Sequence, residues 1–359
     1  MPGTVYRNST EVKGELAAPS VPSYVTFASP VIGTELVAVP SNSRNSSSGA
    51  LAPNGKIYFV SKSKTITEIT PGPDGPSVRE ITRATDAQDC TVCVLALTGL
   101  IYCIPYSSTF IMTFNPETDE LETAAITGIV GSSKYGAAIA HPNGLIYLIP
   151  YAATYVGILD PSNNTLDTTT ITAPAGNKFS GAILAANGNI YCIPYNVDYV
   201  GIVDVVANTL DTTTITVNAG ADKYRSGSLA HNGKIYCCPR SSPTVLIIDP
   251  ETNTGDETSI TGVAGTDMYG DSALAPDGKI YCCPINSDNV MIIDPETNTK
   301  DRTTLAGLPT GRFAHYFCTL GPDGKIYCSS FFGYVNMLVI TPGIQKYPIV
   351  PLLSPYLQG

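Results

Sequence analysis

Apolar residues in this chain come in short runs such as IYCCP and VLIID, and polar turn-forming residues separate them. Short apolar runs bounded by Asn-Gly, Asp-Gly and Asp-Pro dipeptides predict β-strands joined by tight turns. The runs repeat. Ile-Tyr occurs at Ile57, Ile101, Ile146, Ile190, Ile235, Ile280 and Ile326, at intervals of 44 to 46 residues. Seven copies at one period are not a chance pattern.

The best-preserved unit runs from Ser226 to Ile260 and parses into four strands. GSLA is the first, and an Asn-Gly or Asp-Gly hairpin leads to KIYCCP, the second. TVLIIDP is the third, and a turn at Asp249, Asp294, Asp160 or Asn115 leads to a Thr-rich fourth strand such as LDTTTITV at 210–217. Four strands per unit, repeated seven times, predict an all-β, seven-bladed β-propeller with four-stranded antiparallel blades. A β-solenoid is the alternative, but its rungs repeat at shorter periods and lack regular hairpins. Radial closure also removes the sheet edges that invite aggregation.

The unit resembles a kelch repeat in its second strand, NGKIY, and in its third strand and turn, VLIIDPETNT, over about residues 33–345. Two kelch marks are absent: Cys-x-Pro, as in Cys192-Ile193-Pro194, stands where paired glycines are usual, and the chain has no Trp. The resemblance implies the propeller fold and protein binding as a common theme, and it implies no catalytic residues.

A propeller joins its last blade to its first. Residues 33–58 align with 211–236, which makes Thr34–Val39 a fourth-strand segment expected to complete the last blade. Ile344–Ile349 is the competing candidate. Residues 24–359 are thus read as the propeller and residues 1–23 as an extended arm, because few large apolar side chains occur there.

Charge narrows the partners. The net charge of −10 argues against nucleic acid and anionic membranes. No run of 18 apolar residues is present, so no membrane insertion is expected, and no signal peptide is visible. Ten cysteines invite a disulfide or metal reading. Cys103, Cys192, Cys237, Cys282 and Cys328, however, share one repeat position with Phe59 and Leu148, which marks a packing site. Cys90-x-x-Cys93 has a metal-like spacing without a second pair, so no metal site is expected, and the cysteines are read as thiols of a reducing compartment. The reading is therefore a cytoplasmic or virion-associated chain that needs no cofactor.

His141, His231 and His315 form no constellation, and no nucleophile elbow, phosphate loop or calcium loop is present. The expected function is a non-catalytic binding or scaffold module for a protein partner. The alternatives are a structural or glycan-binding component of a virus particle or other large assembly, and a propeller lyase or hydrolase. Binding is expected on the face carrying the longer second-to-third and fourth-to-first loops. Five residues after the repeat Ile stand Lys62, Tyr106, Tyr151, Tyr195, Arg240, Ile285 and Phe331. Twelve before it stand Asn45, Asp89, Lys134, Lys178, Lys223 and Met268, with Arg312 nearest in the seventh unit. Tyr and Arg are favoured at recognition hot spots. The candidate binding residues are therefore Tyr106, Tyr151, Tyr195, Arg240 and Phe331, with Lys134, Lys178, Lys223 and Arg312 as a basic rim. The aromatics that follow the lysine series, Tyr135, Phe179, Tyr224, Tyr269 and Phe313, are read as wedges between blades.

Overall fold

A computed structural model describes residues 32–40, 46–61, 65–82, 90–129, 131–309, 315–330 and 336–347. Residues 1–23, expected to form an extended arm, and residues Asn45, Lys62, Asp89, Arg312, Phe313 and Phe331 lie outside them. The described residues form seven four-stranded antiparallel sheets and no helix, so none is long and apolar enough to cross a membrane. Blades one to six span 46–82, 90–127, 135–172, 179–216, 224–256 and 269–301. Blade seven combines 315–341 with Gly33–Ala38, which pairs antiparallel with Asn336–Thr341 from Gly33 opposite Thr341 to Ala38 opposite Asn336. The first and last strands among the described residues thus share one sheet. Residues 344–347 form no strand, and the Lys346 and Tyr347 amides donate instead to the Pro276 carbonyl of blade six.

Every second strand is sandwiched, which explains its unbroken apolar run. In IYCIP, IYLIP and IYCCP all five residues are buried, because each blade packs both faces against neighbours. One apolar cluster fills each interface between consecutive blades, including the interface of blades seven and one. Fourth strands face solvent, and in Thr165–Thr172 and Thr209–Thr216 most side chains are exposed or half-buried.

The Asn-Gly and Asp-Gly hairpins are longer than a two-residue turn. Gly55 N–H donates to Ala52 C=O and Ala52 N–H to Lys56 C=O, and only Gly55 takes a positive φ, of 77°. This is a three-residue connection with glycine in the left-handed position. Asn54 is not left-handed; its Oδ1 accepts from the Lys56 amide. Its amide nitrogen has a second task. Asn54 donates to the Tyr58 hydroxyl and to Pro116 C=O of the next blade, and Tyr58 also reaches Pro116. Tyr191 and Tyr236 repeat the arrangement: each donates to the left-handed Asn of the next blade's turn, Asn253 at 2.6 Å and Asn298 at 2.7 Å. Tyr102 donates to Asn164 in the same way. Ile-Tyr, Asn-Gly and Asp-Pro-x-x-Asn therefore recur together because they build one staple between adjacent blades.

Candidate functional site at the channel mouth

The staples lie at the turn end of the blades, and the candidate residues lie at the loop end. There a belt of backbone hydrogen bonds runs from blade to blade. Lys134 N–H donates to Tyr106 C=O and Tyr151 N–H to Lys134 C=O. The chain of donors continues through Lys178, Tyr195, Lys223, Arg240 and Met268 to Ile285. The two residue series picked out by period are thus alternate members of one belt, with backbone positions held whatever the side chain.

The tyrosines come together. Ring centroids of Tyr106 and Tyr151 are 6.3 Å apart and those of Tyr151 and Tyr195 are 5.6 Å apart, all tilted. Tyr106 and Tyr151 are half-buried, and Tyr195 is 7% exposed beneath Arg240. The Arg240 guanidinium lies 5.4 Å from the Tyr195 centroid and donates to the hydroxyls of Tyr195 and, at 3.3 Å, Tyr316. Its Nε meets Asp267. Burial works against the Arg240 charge, but Tyr316, Tyr195 and Asp267 outweigh it and hold the group firmly protonated. Burial is also the main cause that raises the Tyr195 and Tyr151 hydroxyls above their ordinary range.

The lysines do not form an exposed rim. Lys134, Lys178 and Lys223 are 2%, 0% and 4% exposed. Each ammonium donates to one carbonyl of the second-to-third loop and one of the fourth-to-first loop. The acceptors are Ser108 and Gly131 for Lys134, Ala153 and Gly176 for Lys178, and Val197 and Asn218 for Lys223. A long side chain buries its stem and satisfies its charge on loop carbonyls, so the residues clamp the loops that carry the tyrosines. Burial lowers all three pKa values, that of Lys178 to about 8. Ile285, the blade-six member of the belt, is 1% exposed and offers no surface.

Below the belt the first strands line a central channel with a cavity of about 190 Å³. Four residues here escape a reading by period alone: Arg225, Asp271 and Phe317, which line the cavity, and Tyr316, which stacks on Arg225. Arg225 and Tyr316 occupy the extra residue of the first-strand bulge, where blades three and six have Gly136 and Gly270. A Cβ at Gly136 would lie 2.3 Å from Phe179 O, so the strands touch there and large side chains fit only on some blades. The Arg225 guanidinium stacks 4.9 Å from the Tyr316 ring and donates to Ser180 C=O at 2.7 Å. Its Nε has no hydrogen-bond partner among the described residues. Asp271 accepts from the Ser272 and Cys318 amides, and burial raises its pKa. The signal in the sequence was the residue after each first-strand aromatic, where Arg225 stands among Gly and Ser.

The histidines are dispersed. His141 and His231 flank turns at the staple end, where His141 bonds Gly188 C=O and His231 stacks on Tyr347. His315 is buried at the start of the blade-seven first strand, the register position that holds Tyr135, Phe179, Tyr224 and Tyr269 in blades three to six. Those four aromatics are fully buried, as wedges require.

No family model matches the chain, and no curated protein does. Solved propellers are similar in fold. A streptogramin B lyase superposes with a TM-score of 0.69 at 14% identity, covering 86% of this chain and 97% of that one. Virginiamycin B lyase from Staphylococcus aureus gives 0.67 at 10%, covering 87% and 100%, and the WD40 β-propeller domain of Doa1 gives 0.64 at 12%, covering 87% and 97%. At these identities the likeness shows the fold alone; kelch membership does not follow from it.

Proposed function

We propose that the chain is a non-catalytic binding module that takes a protein partner on its loop face, across blades two to five. The observation that carries this reading is the run Tyr106–Tyr151–Tyr195–Arg240, whose rings and guanidinium are pre-arranged by the backbone belt and the lysine clamps. Aromatic and arginine anchors that are ordered before binding lose little entropy on association, which favours them as hot spots. The patch is lopsided, since the belt position of blade six is the buried Ile285. An off-axis patch suits a protein better than a ligand centred on the channel. Its charge is locally balanced, with Arg240 on Asp267 and the lysines satisfied within the fold.

The test is affinity capture from the native source, followed by binding of the purified captured protein to wild type and to Y106A/Y151A/Y195A. Truncating a buried Tyr anchor costs about 2 kcal/mol, roughly 30-fold in affinity. Y106A/Y151A spares the more deeply buried Tyr195 and should retain the wild-type melt while losing most of the binding. Normal binding by this folded variant overturns the proposal, and a positive glycan array without protein capture would move the face to sugar recognition.

A further inference from the structure

Blade two departs from the other blades at one place. Its first strand starts with Cys90, at the register position where blades three to six carry Tyr135, Phe179, Tyr224 and Tyr269. Strict alternation would send Cys90 and Cys93 to opposite faces of the strand. The bulge between Cys90 and Val92 inserts one residue, so Cys90 pairs with Pro105 and Cys93 with Cys103. Residues 103 and 105 share a face, and the bulge therefore brings Cys90, Cys93 and Cys103 together. Their sulfurs lie within 4.8 Å of one another, with Cys90–Cys93 and Cys93–Cys103 each at 4.0 Å. Cys103 in turn pairs with Met112 on the third strand, which places a buried thioether on the same face.

The space for this sulfur set comes from the missing ring. In blade four the residue equivalent to Met112 is Gly201, and a Cβ there would lie 2.5 Å from the Phe179 ring. In blade two the short Cys90 and the flexible Met112 share that volume. The cluster also has a route to solvent, because Cys93 lines the central channel.

We propose that Cys90, Cys93 and Cys103, with Met112 beside them, bind one Cu(I) ion delivered through the channel. A point equidistant from sulfurs so spaced lies about 2.3 to 2.5 Å from each, close to the ~2.3 Å of a zinc–thiolate bond. Thiolate and thioether donors select a soft monovalent ion, whereas zinc would want a fourth nitrogen or thiolate ligand where this site has methionine. Each thiol that ligates releases its proton to solvent, and no electron is transferred because copper enters as Cu(I).

The experiment titrates the reduced full-length protein anaerobically with Cu(I) in competition with a chromophoric Cu(I) chelator, and X-ray absorption reads the ligands. One equivalent in an all-sulfur shell is expected. Cys93→Ala and Cys103→Ala should weaken binding at least about 100-fold and Met112→Leu by a smaller factor, while Cys328→Ala, in the blade-seven thiol pair with Cys318, leaves it unchanged. The wild-type spectrum needs no variant to fold: nitrogen or oxygen ligands in it, failure to compete with the chelator, tighter binding of Zn(II), or loss on Cys328→Ala instead of Cys93→Ala would each overturn the assignment.

Discussion

Tyr236→Phe tests the staple that holds blade five to blade six. The Tyr236 hydroxyl is fully buried, accepts from Asn232 Nδ2 at 3.1 Å and has two acceptors within reach, Asn298 Oδ1 at 2.7 Å and Pro295 C=O at 3.2 Å. A hydroxyl carries one proton, and the shorter contact assigns it to Asn298. Asn232 reaches Pro295 C=O at 3.1 Å, so that carbonyl stays satisfied when the hydroxyl is deleted. Asn298 and Asn232 are exposed residues, so phenylalanine leaves Asn298 Oδ1 and one Asn232 N–H to water. A net hydrogen bond is worth about 1 kcal/mol, and the released groups reach solvent, so the expected loss is about 1 kcal/mol. For a chain of this size that is a fall of about 1 to 2 °C in Tm. Asn298 has φ of 51°, so Asn298→Gly removes the side chain without straining the turn. In that background Tyr236→Phe should cost about 1 kcal/mol less, the coupling energy of a double-mutant cycle read by urea unfolding. A strictly additive cycle would refute the staple as an energetic link between blades.

The buried His315 gives stability a pH dependence. Burial holds it neutral and pushes its pKa down to about 4, against an ordinary value near 6.5. The unfolded chain binds the proton first, so this contribution is complete above pH ~6.5 and is lost as pH falls towards ~4, about 3 kcal/mol in all. The urea midpoint of wild type should fall relative to that of His315→Phe as pH is lowered through that window, and parallel curves would contradict it. Arg240→Lys keeps the charge but cannot span Asp267, Tyr195 and Tyr316 together. It should cost about 2 kcal/mol in thermal or urea unfolding, and a variant as stable as the parent would show that charge alone matters there.

The propeller was legible in the sequence because its determinants are local and repeated: a hairpin glycine, a buried Ile-Tyr strand and a Pro-containing turn recur at one spacing. The staples were less so. Tyr236 and Asn298 are 62 residues apart, and neither residue type names the other. The lysines were misjudged because a sequence does not say whether a long cationic side chain turns outward. The clue was Gly131 and Gly176, left-handed residues whose carbonyls turn back to the ammonium of Lys134 and Lys178. The sulfur cluster was hidden by the bulge. The Cys-x-x-Cys spacing implied opposite faces on a regular strand, and the third thiol sits on the neighbouring strand, where only the pairing register identifies it.

The two ends of the ring solve different problems. At the turn end the interblade hydrogen bonds of Tyr58, Tyr102, Tyr191 and Tyr236 are made by side chains that reach the next blade's turn, so those bonds depend on residue type. At the loop end the belt is made by backbone N–H and C=O groups from Tyr106 to Ile285. Backbone bonds do not depend on residue type, so the belt positions are free to carry Tyr106, Tyr151, Tyr195, Arg240 or Ile285 without breaking the ring. That freedom is what a recognition surface requires: a fixed frame on which side chains differ. The difference is graded around the ring. Half-exposed tyrosines on blades two and three pass to a tyrosine under an arginine on blades four and five, and to a buried isoleucine on blade six. A partner seated on this face would therefore make its strongest contacts on one side of the channel axis. Under the proposed reading, Y106A/Y151A should weaken it far more than Ile285→Val, a change confined to the belt's buried side.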